Sequence, residues 1–414
     1  MKNRFLTVSL FVLMISGFAV NLNPQIVYDS KIDSMKNLIS LQSISKIVRE
    51  LSGDTITVIG GSPYRIFSRY WGSPSNPKAA QYIYEKLQSY GINVRYQNIS
   101  SSCVNVIGKI TGTLYPEQYY VVCGHYDNFK LDPVPGPLDT VPGADDNVSS
   151  ISGILETAKL LVNFPLEYSV LFIAFDEEEK GLVGSLAFAD SAVRQGMNLK
   201  GVINLEVLGY DSDNDGKFML ITNSNSEALA GYFLNAIQVY QIGLQGQKNF
   251  NGGYSDHYSF WLKGFKAITH AQSDSNFTPY EHTKYDTYDK FNPNYFLKMV
   301  KAAFVTLASL ATDHGSIGIN NLSNEIPKKY VLEQNYPNPF NPATNVKFSI
   351  CNTQFVTLKI HDMLGREVAN LVNEQLAPGT YEVDWNASQF PGGIYFYTLT
   401  AGDYMETKRM TMIK

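Results

Sequence analysis

Three cysteines, three tryptophans and six histidines are all that a chain of 414 residues holds of these types, and neither sign of charge dominates it. Cys103, Cys123 and Cys351 allow one disulfide at most, which excludes a disulfide-stapled scaffold. With 33 basic and 38 acidic residues interspersed, the net charge of -5 offers no basic field for a phosphate backbone, so nucleic acid is not expected as a partner. Long apolar runs are also scarce. One stretches from Phe5 to Val20 behind Lys2 and Arg4, and no later segment is long enough to span a bilayer. Its basic start, short length and small-x-small triplet Gly17-Phe18-Ala19 read as a signal peptide over residues 1–19, with an uncleaved anchor as the alternative. No internal repeat is visible.

What is present suits a large folded core. The chain is 44% hydrophobic and only 17% charged, with 27 Tyr and 23 Phe, far from the composition of disorder. Its length predicts two or three folded units. Helical spacing of apolar residues between 29 and 60, closed by Gly53, predicts one amphipathic helix; a second follows Asn76-Pro77 and stops at Gly91. From Asn93 onward strand-like and helical stretches interleave, ending in an amphipathic helix at 295–310. This alternation predicts an α/β domain over residues 28–314, a mixed, largely parallel β-sheet flanked by helices on both faces. Cys103 and Cys123 flank an expected hairpin, 104–111 with 118–122, where they could pair after export; two unpaired thiols are the alternative. Small and polar residues then predict a linker at 315–330, and short alternating runs between Gly and Pro turns predict a small all-β, Ig-like sandwich over 331–414.

Functional residues in α/β sheets gather where strands end. Five polar segments fall at such places: Gly124-His125-Tyr126-Asp127, Gly143-Ala144-Asp145-Asp146-Asn147, Glu177-Glu178-Glu179, Asn204-Leu205-Glu206 and Glu281-His282-Thr283. Two histidines and three carboxylates can hold two divalent ions if one carboxylate bridges. Zinc accepts imidazole and carboxylate together, whereas Mg²⁺ and Ca²⁺ prefer oxygen alone. The charged run 177–179 follows the apolar stretch Val170–Phe175, which sets it at the edge of the sheet. His270, His314 and His361 stand outside these segments and receive no role.

Taken together, residues from about 65 to 312 resemble the co-catalytic di-zinc aminopeptidase family. The carriers are Gly124-His125-Tyr126-Asp127, Asp145-Asp146-Asn147, Glu178-Glu179-Lys180-Gly181-Leu182-Val183-Gly184-Ser185, Asn204-Leu205-Glu206 and His282-Thr283-Lys284-Tyr285-Asp286-Thr287. The resemblance implies hydrolysis of peptides with a free N-terminus. His125 and Glu206 would hold one zinc, Glu179 and His282 the other, and Asp146 would bridge them. Adjacent residues of extended chain face opposite ways, so Asp145 is not expected at the metals. Glu178 would be the general base, Glu177 would play no part, and Asp127 and Asp286 would orient His125 and His282. The chain departs from the family pattern at Glu206, longer than the Asp often found there, and at Glu281, where some relatives carry Tyr. Tyr254, Asp256 and His257 of a Gly-rich loop are expected to shape the substrate pocket or to support it from behind, and Tyr280 and Tyr254 are the candidate oxyanion donors.

Asp211-Ser212-Asp213-Asn214-Asp215-Gly216 is similar to half of a calcium loop, with Asp211, Asp213 and Asp215 as the ligands and a solvated turn as the alternative; Thr222 stands where an EF-hand needs Glu. Residues 331–414 resemble the type IX (Por) secretion sorting domain through Leu332–Pro342, Asp362–Val368 and Gly392–Phe396. That resemblance implies the type IX secretion machinery as a partner and a secreted or cell-surface location. On the same scaffold the competing readings are a glutaminyl-cyclase-like enzyme using one zinc, a carboxypeptidase, and an inactive binding module.

Overall fold

The computed structural model describes residues 26, 28–129, 141–250, 252–312, 319–323, 326–387 and 390–413. The expected signal peptide lies outside them. In chain order the first part comprises α1 (Ser30–Lys36), α2 (Leu41–Leu51), β1 (Thr57–Ile59), β2 (Ser62–Tyr64), α3 (Asn76–Ser89), β3 (Asn93–Asn98), β4 (Val104–Ile110) and β5 (Tyr115–His125). Then come α4 (Ser150–Leu161), β6 (Tyr168–Phe175), α5 (Val183–Arg194), β7 (Asn198–Glu206), β8 (Lys217–Thr222), α6 (Glu227–Val239), β9 (Gln245–Phe250), α7 (His257–Trp261), β10 (Ala267–Gln272) and α8 (Pro293–Ala311).

Strands β3 to β10 form one sheet in the order β3-β4-β6-β5-β7-β10-β8-β9. Its centre, β6-β5-β7-β10, is parallel, and antiparallel pairs join β3 to β4, β4 to β6 and β10 to β8. Alternate residues of the central strands enter two different cores, as the two-residue period of a strand requires. Tyr120, Val122, Val170 and Phe172 pack with α4, α6 and α8 on one face. Val121, Cys123, Leu171, Ile173 and Phe175 pack with Phe188 of α5 and Phe260 of α7 on the other. No described helix is long and apolar enough to cross a membrane.

Three expectations need correction here. The single helix predicted between 29 and 60 is two, because the Ser40 side chain accepts the Ser43 N–H at 3.1 Å and starts a new helix while Leu38 turns out to solvent. β4 and β5 are not a hairpin: β6 lies between them, and Cys103 and Cys123 are buried free thiols. The span 315–330 is not connector throughout, since β11 (Ile319–Ser323) pairs with a strand of the C-terminal sheets.

Those sheets contain β12 (Val331–Leu332), β13 (Ala343–Ile350), β14 (Gln354–His361), β15 (Glu367–Leu376), β16 (Gly379–Asn386), β17 (Gly393–Ala401) and β18 (Tyr404–Met412). The two four-stranded sheets, β11-β16-β13-β12 and β15-β14-β17-β18, are antiparallel throughout and share one core. β13 shows the period directly: Thr344, Val346, Phe348 and Ile350 are buried, and the residues between them are half-exposed. The Pro-rich stretch before β13 enters the sandwich in order, Tyr336 bridging to Asn345 and Asn335 donating to the Thr344 hydroxyl at 2.8 Å.

Candidate metal centre

β5 ends on His125 and β7 on Glu206, while β6 runs straight into Asp176–Glu179. These parallel neighbours deliver their side chains to one edge of the sheet. Two loops close over that edge, 143–149 ahead of α4 and the segment holding His282 between β10 and α8. The structure thus brings together all five expected ligands.

His125 Nε2 lies 3.3 Å from Asp146 Oδ1 and 3.2 Å from Glu206 Oε1. His282 Nε2 lies 3.1 Å from Asp146 Oδ2 and 3.0 Å from Glu179 Oε1. Asp146 therefore gives one oxygen to each histidine. Donors held about 2.0–2.2 Å from a tetrahedral zinc are roughly 3.3–3.6 Å apart, so both sets are spaced to share an ion with a small adjustment. Imidazole with carboxylate is also the donor set zinc favours, and the residues present fit two such ions. The Glu178 carboxylate comes within ligand reach of His125 and Glu179.

The backbone around these groups is tied by carboxylates. The Asp127 main-chain carbonyl lies 3.1 Å from His125 Nδ1 and its carboxylate 3.4 Å, and the carboxylate accepts the N–H groups of Glu178 at 3.1 Å and Glu179 at 3.3 Å. Asp286 has partners other than the one expected: instead of orienting His282, its two oxygens accept the N–H groups of Asp145 at 2.8 Å and Asp146 at 3.0 Å. Asp145 turns away and accepts the Gly209 N–H at 2.7 Å. Glu177 is buried apart from the site, accepting from Ser102 at 2.7 Å and Lys180 at 3.1 Å. Glu206 Oε2 accepts the Ser255 hydroxyl at 2.5 Å, and Asn204 holds that serine at 2.9 Å.

Arg69 carries no spacing signal in the sequence and was not foreseen. Its guanidinium is fully buried and donates to the carbonyls of Tyr126, Leu51, Pro142, Gly143 and Asp146 at 2.6–3.4 Å, joining the end of β5 to the Asp146 loop. Gly143 starts that loop at φ 50°, and a Cβ there would stand 2.6 Å from Arg69 Nη2 and 2.5 Å from the Asp146 carbonyl. Left-handed φ values in residues with side chains also gather here: Glu177 at 55°, Leu182 at 61°, Val207 at 41° and His282 at 61°. Such conformations persist where surrounding contacts over-determine them.

Carboxylates outnumber buried cations in this edge, and the titration behaviour shows the crowding. Burial pushes Glu178 well above the usual carboxylate range and, with the charge of Asp146, pushes Glu179 up to about 8. Burial opposes charge on both histidines, yet Glu206 and Glu178 raise His125 well above its ordinary value, and Asp146 and Glu179 take His282 to about 11. Burial also works against the Asp146 charge, but its hydrogen bonds to the two histidines lower its pKa. Buried negative charge of this density calls for cations.

Residues 105–307 match the family described as Peptidase family M28, and residues 334–414 match the Secretion system C-terminal sorting domain. Over 105–307, just under half of its residues, the chain is similar to peptidase family M28. Among curated relatives, a probable zinc metalloprotease of Pyrenophora teres is 32% identical over 111 residues, 27% of this chain and 24% of that protein. A probable leucine aminopeptidase of Trichophyton verrucosum is 24% identical over 67% of this chain and 79% of its own. The chain spans about a quarter of the length of the first of these relatives. The LapA aminopeptidase of Legionella pneumophila shares the fold with a TM-score of 0.60 at 21% identity, over 70% of this chain and 77% of its own. Porphyromonas gingivalis glutaminyl cyclase shares it with a TM-score of 0.54 at 17% identity, over 65% and 98%.

The residues expected to shape the pocket divide. Asp256 and His257 are fully buried, so neither lines a surface open to substrate; the His257 ring packs edge-on against Trp261 at 4.5 Å. Burial raises Asp256 to about 7 and lowers His257 to about 4. Tyr254 is exposed with its ring tilted against Tyr258, whereas Tyr280 is half-buried against Tyr210. Phe129, next to the strand end, adds an aromatic wall 5.0 Å from the His282 ring. Asp211, Asp213 and Asp215 do converge, but Lys217 pairs with Asp215 at 2.6 Å and Asn276 donates to Asp213 at 2.8 Å, the bonding of a solvated turn.

Proposed function

We propose that the chain is an exported two-zinc exopeptidase that removes residues from the free N-terminus of peptides. One observation carries this reading: the Asp146 carboxylate is divided between His125 and His282, each completed by its own glutamate. His125, Glu206 and Asp146 would hold one ion, and Asp146, Glu179 and His282 the other. When bound, the ions supply Lewis acidity and a water of lowered pKa. The main-chain carbonyl of Asp127 keeps His125 in the tautomer whose Nε2 lone pair faces inward, while the Asp127 carboxylate fixes the Glu178–Glu179 backbone. Glu178 takes the proton of the attacking water and delivers it to the departing amine nitrogen. Ser255, held by Asn204, fixes the orientation of Glu206. The C-terminal sandwich addresses the enzyme to type IX secretion, which puts its substrates outside the cell. Support for the N-terminal preference comes from the probable leucine aminopeptidase among the relatives.

The test is hydrolysis of paired peptides by the zinc-loaded full chain, one member with a free N-terminus and the other acetylated. Release of the first residue from the free peptide alone is expected. Equal cleavage of both would contradict the reading.

A further inference from the structure

Glu281 is a partly exposed acidic side chain at the metal centre that the proposed ligand set, the proton path and the backbone ties all leave unused; Asp256, also unused, is fully buried. It sits between Tyr280 and His282, half-buried, and its carboxylate reaches the common neighbourhood of Asp146 and His282. It stops short of the imidazole. Glu179 stands 3.0 Å from His282 Nε2, while no ion pair joins His282 to Glu281. No described lysine, arginine or hydrogen-bond donor pairs with this carboxylate either; it faces the anions Asp146 and Glu206 and, beyond ion-pair distance, the imidazoles of His282 and His125. A carboxylate held half out of water beside two others, with no direct ion-pair partner, gains from a positive group that arrives with the ligand. A primary ammonium matches it in sign and donor geometry, with N–H···O bonds of about 2.7–2.9 Å.

We infer that Glu281 receives the α-ammonium group of the bound peptide and so makes this centre selective for free N-termini. The inference deepens the exopeptidase reading and rests on it. An acetylated terminus brings a neutral amide with a single donor and added bulk, which leaves Glu281 unpaired and crowded. Glu281 has no donor to offer a developing oxyanion while it is ionised, so its role is in seating substrate rather than in charge stabilisation of that oxygen. Its place beside a metal ligand also makes extra coordination the main competing role, and metal content separates the two.

The experiment uses the zinc-loaded full chain carrying Glu178→Gln, which slows turnover, with and without Glu281→Gln. Calorimetry measures binding of the dipeptide Leu-Ala and of its N-acetyl form, and elemental analysis measures zinc in each protein. With Glu281 present, the free dipeptide is expected to bind at least about tenfold more tightly than the acetylated one. Glu281→Gln should weaken the free dipeptide by about tenfold or more, leave the acetylated form within twofold, and keep zinc content unchanged; Glu281→Asp should recover part of the loss. An unchanged affinity for the free dipeptide in Glu281→Gln, or a loss of one zinc equivalent, would overturn the inference and leave the exopeptidase reading standing. Absence of discrimination while Glu281 is present would overturn both.

Discussion

Asp146 can serve two histidines only because its backbone is held from both sides, by the carboxylate of Asp286 on its N–H and by Arg69 around its carbonyl and that of Gly143. Replacing Arg69 with methionine would keep the bulk but strand several buried carbonyls. We expect Arg69→Met to lose about 3 kcal/mol or more of stability in denaturant unfolding and to weaken zinc binding with it. Full zinc affinity in a stable Arg69→Met protein would contradict this role. Glu178→Gln should do the opposite: zinc content intact by elemental analysis and hydrolysis down by about a hundredfold or more. Near-normal turnover would remove Glu178 as the base. The candidate ligand set, which the structure brings together, was legible in sequence because His125, Asp146, Glu179, Glu206 and His282 sit in short segments that end strands or fill loops. Arg69 was not legible, since its partners are backbone carbonyls scattered from Leu51 to Asp146 and no spacing rule encodes them. Asp286 was legible as important and misjudged in its partner, because a residue four positions after His282 can turn toward another loop.

At the scale of elements, strands with strong two-sided burial were foreseen nearly to the residue: the apolar stretch Val170–Phe175 lies within β6, Tyr168–Phe175. Their order was not. Sequence proximity suggested that β4 and β5 pair, yet β6 inserts between them, and a strand pairing depends on long-range contacts that local pattern does not carry. β9, Gln245–Phe250, also escaped notice because this edge strand is polar and only partly buried, so it has no apolar period to read. The strand order makes a chemical prediction. Cys103 and Cys123 are separated by β6, so thiol titration of unfolded, unreduced protein should count three free thiols. A count of one would mean that the two are bridged and that the order of these strands is wrong.

For the molecule as a whole, the crowded carboxylates tie stability to pH and to metal. Burial raises Asp176, Asp256 and Asp286 to about 7, and Glu179 to about 8, above their unfolded values; His282, raised to about 11, adds to the same trend at higher pH. Each of these groups binds more protons folded than unfolded inside its window. The slope of unfolding free energy with pH is then negative, and metal-free protein should lose stability as pH rises from about 4 through 8. Zinc binds the deprotonated ligands and should flatten or reverse that slope, an outcome thermal unfolding in chelator and in zinc can check. A metal-free protein that grows more stable across this range would contradict the charge distribution described for the site. The central claim is the pair of ions bridged by Asp146, and calorimetric titration of zinc into metal-free full chain tests it most directly. Two equivalents per chain are predicted for the native sequence, with both lost or severely weakened in Asp146→Ala; saturation at a single equivalent in the native chain would contradict the account and favour a one-metal, cyclase-like site.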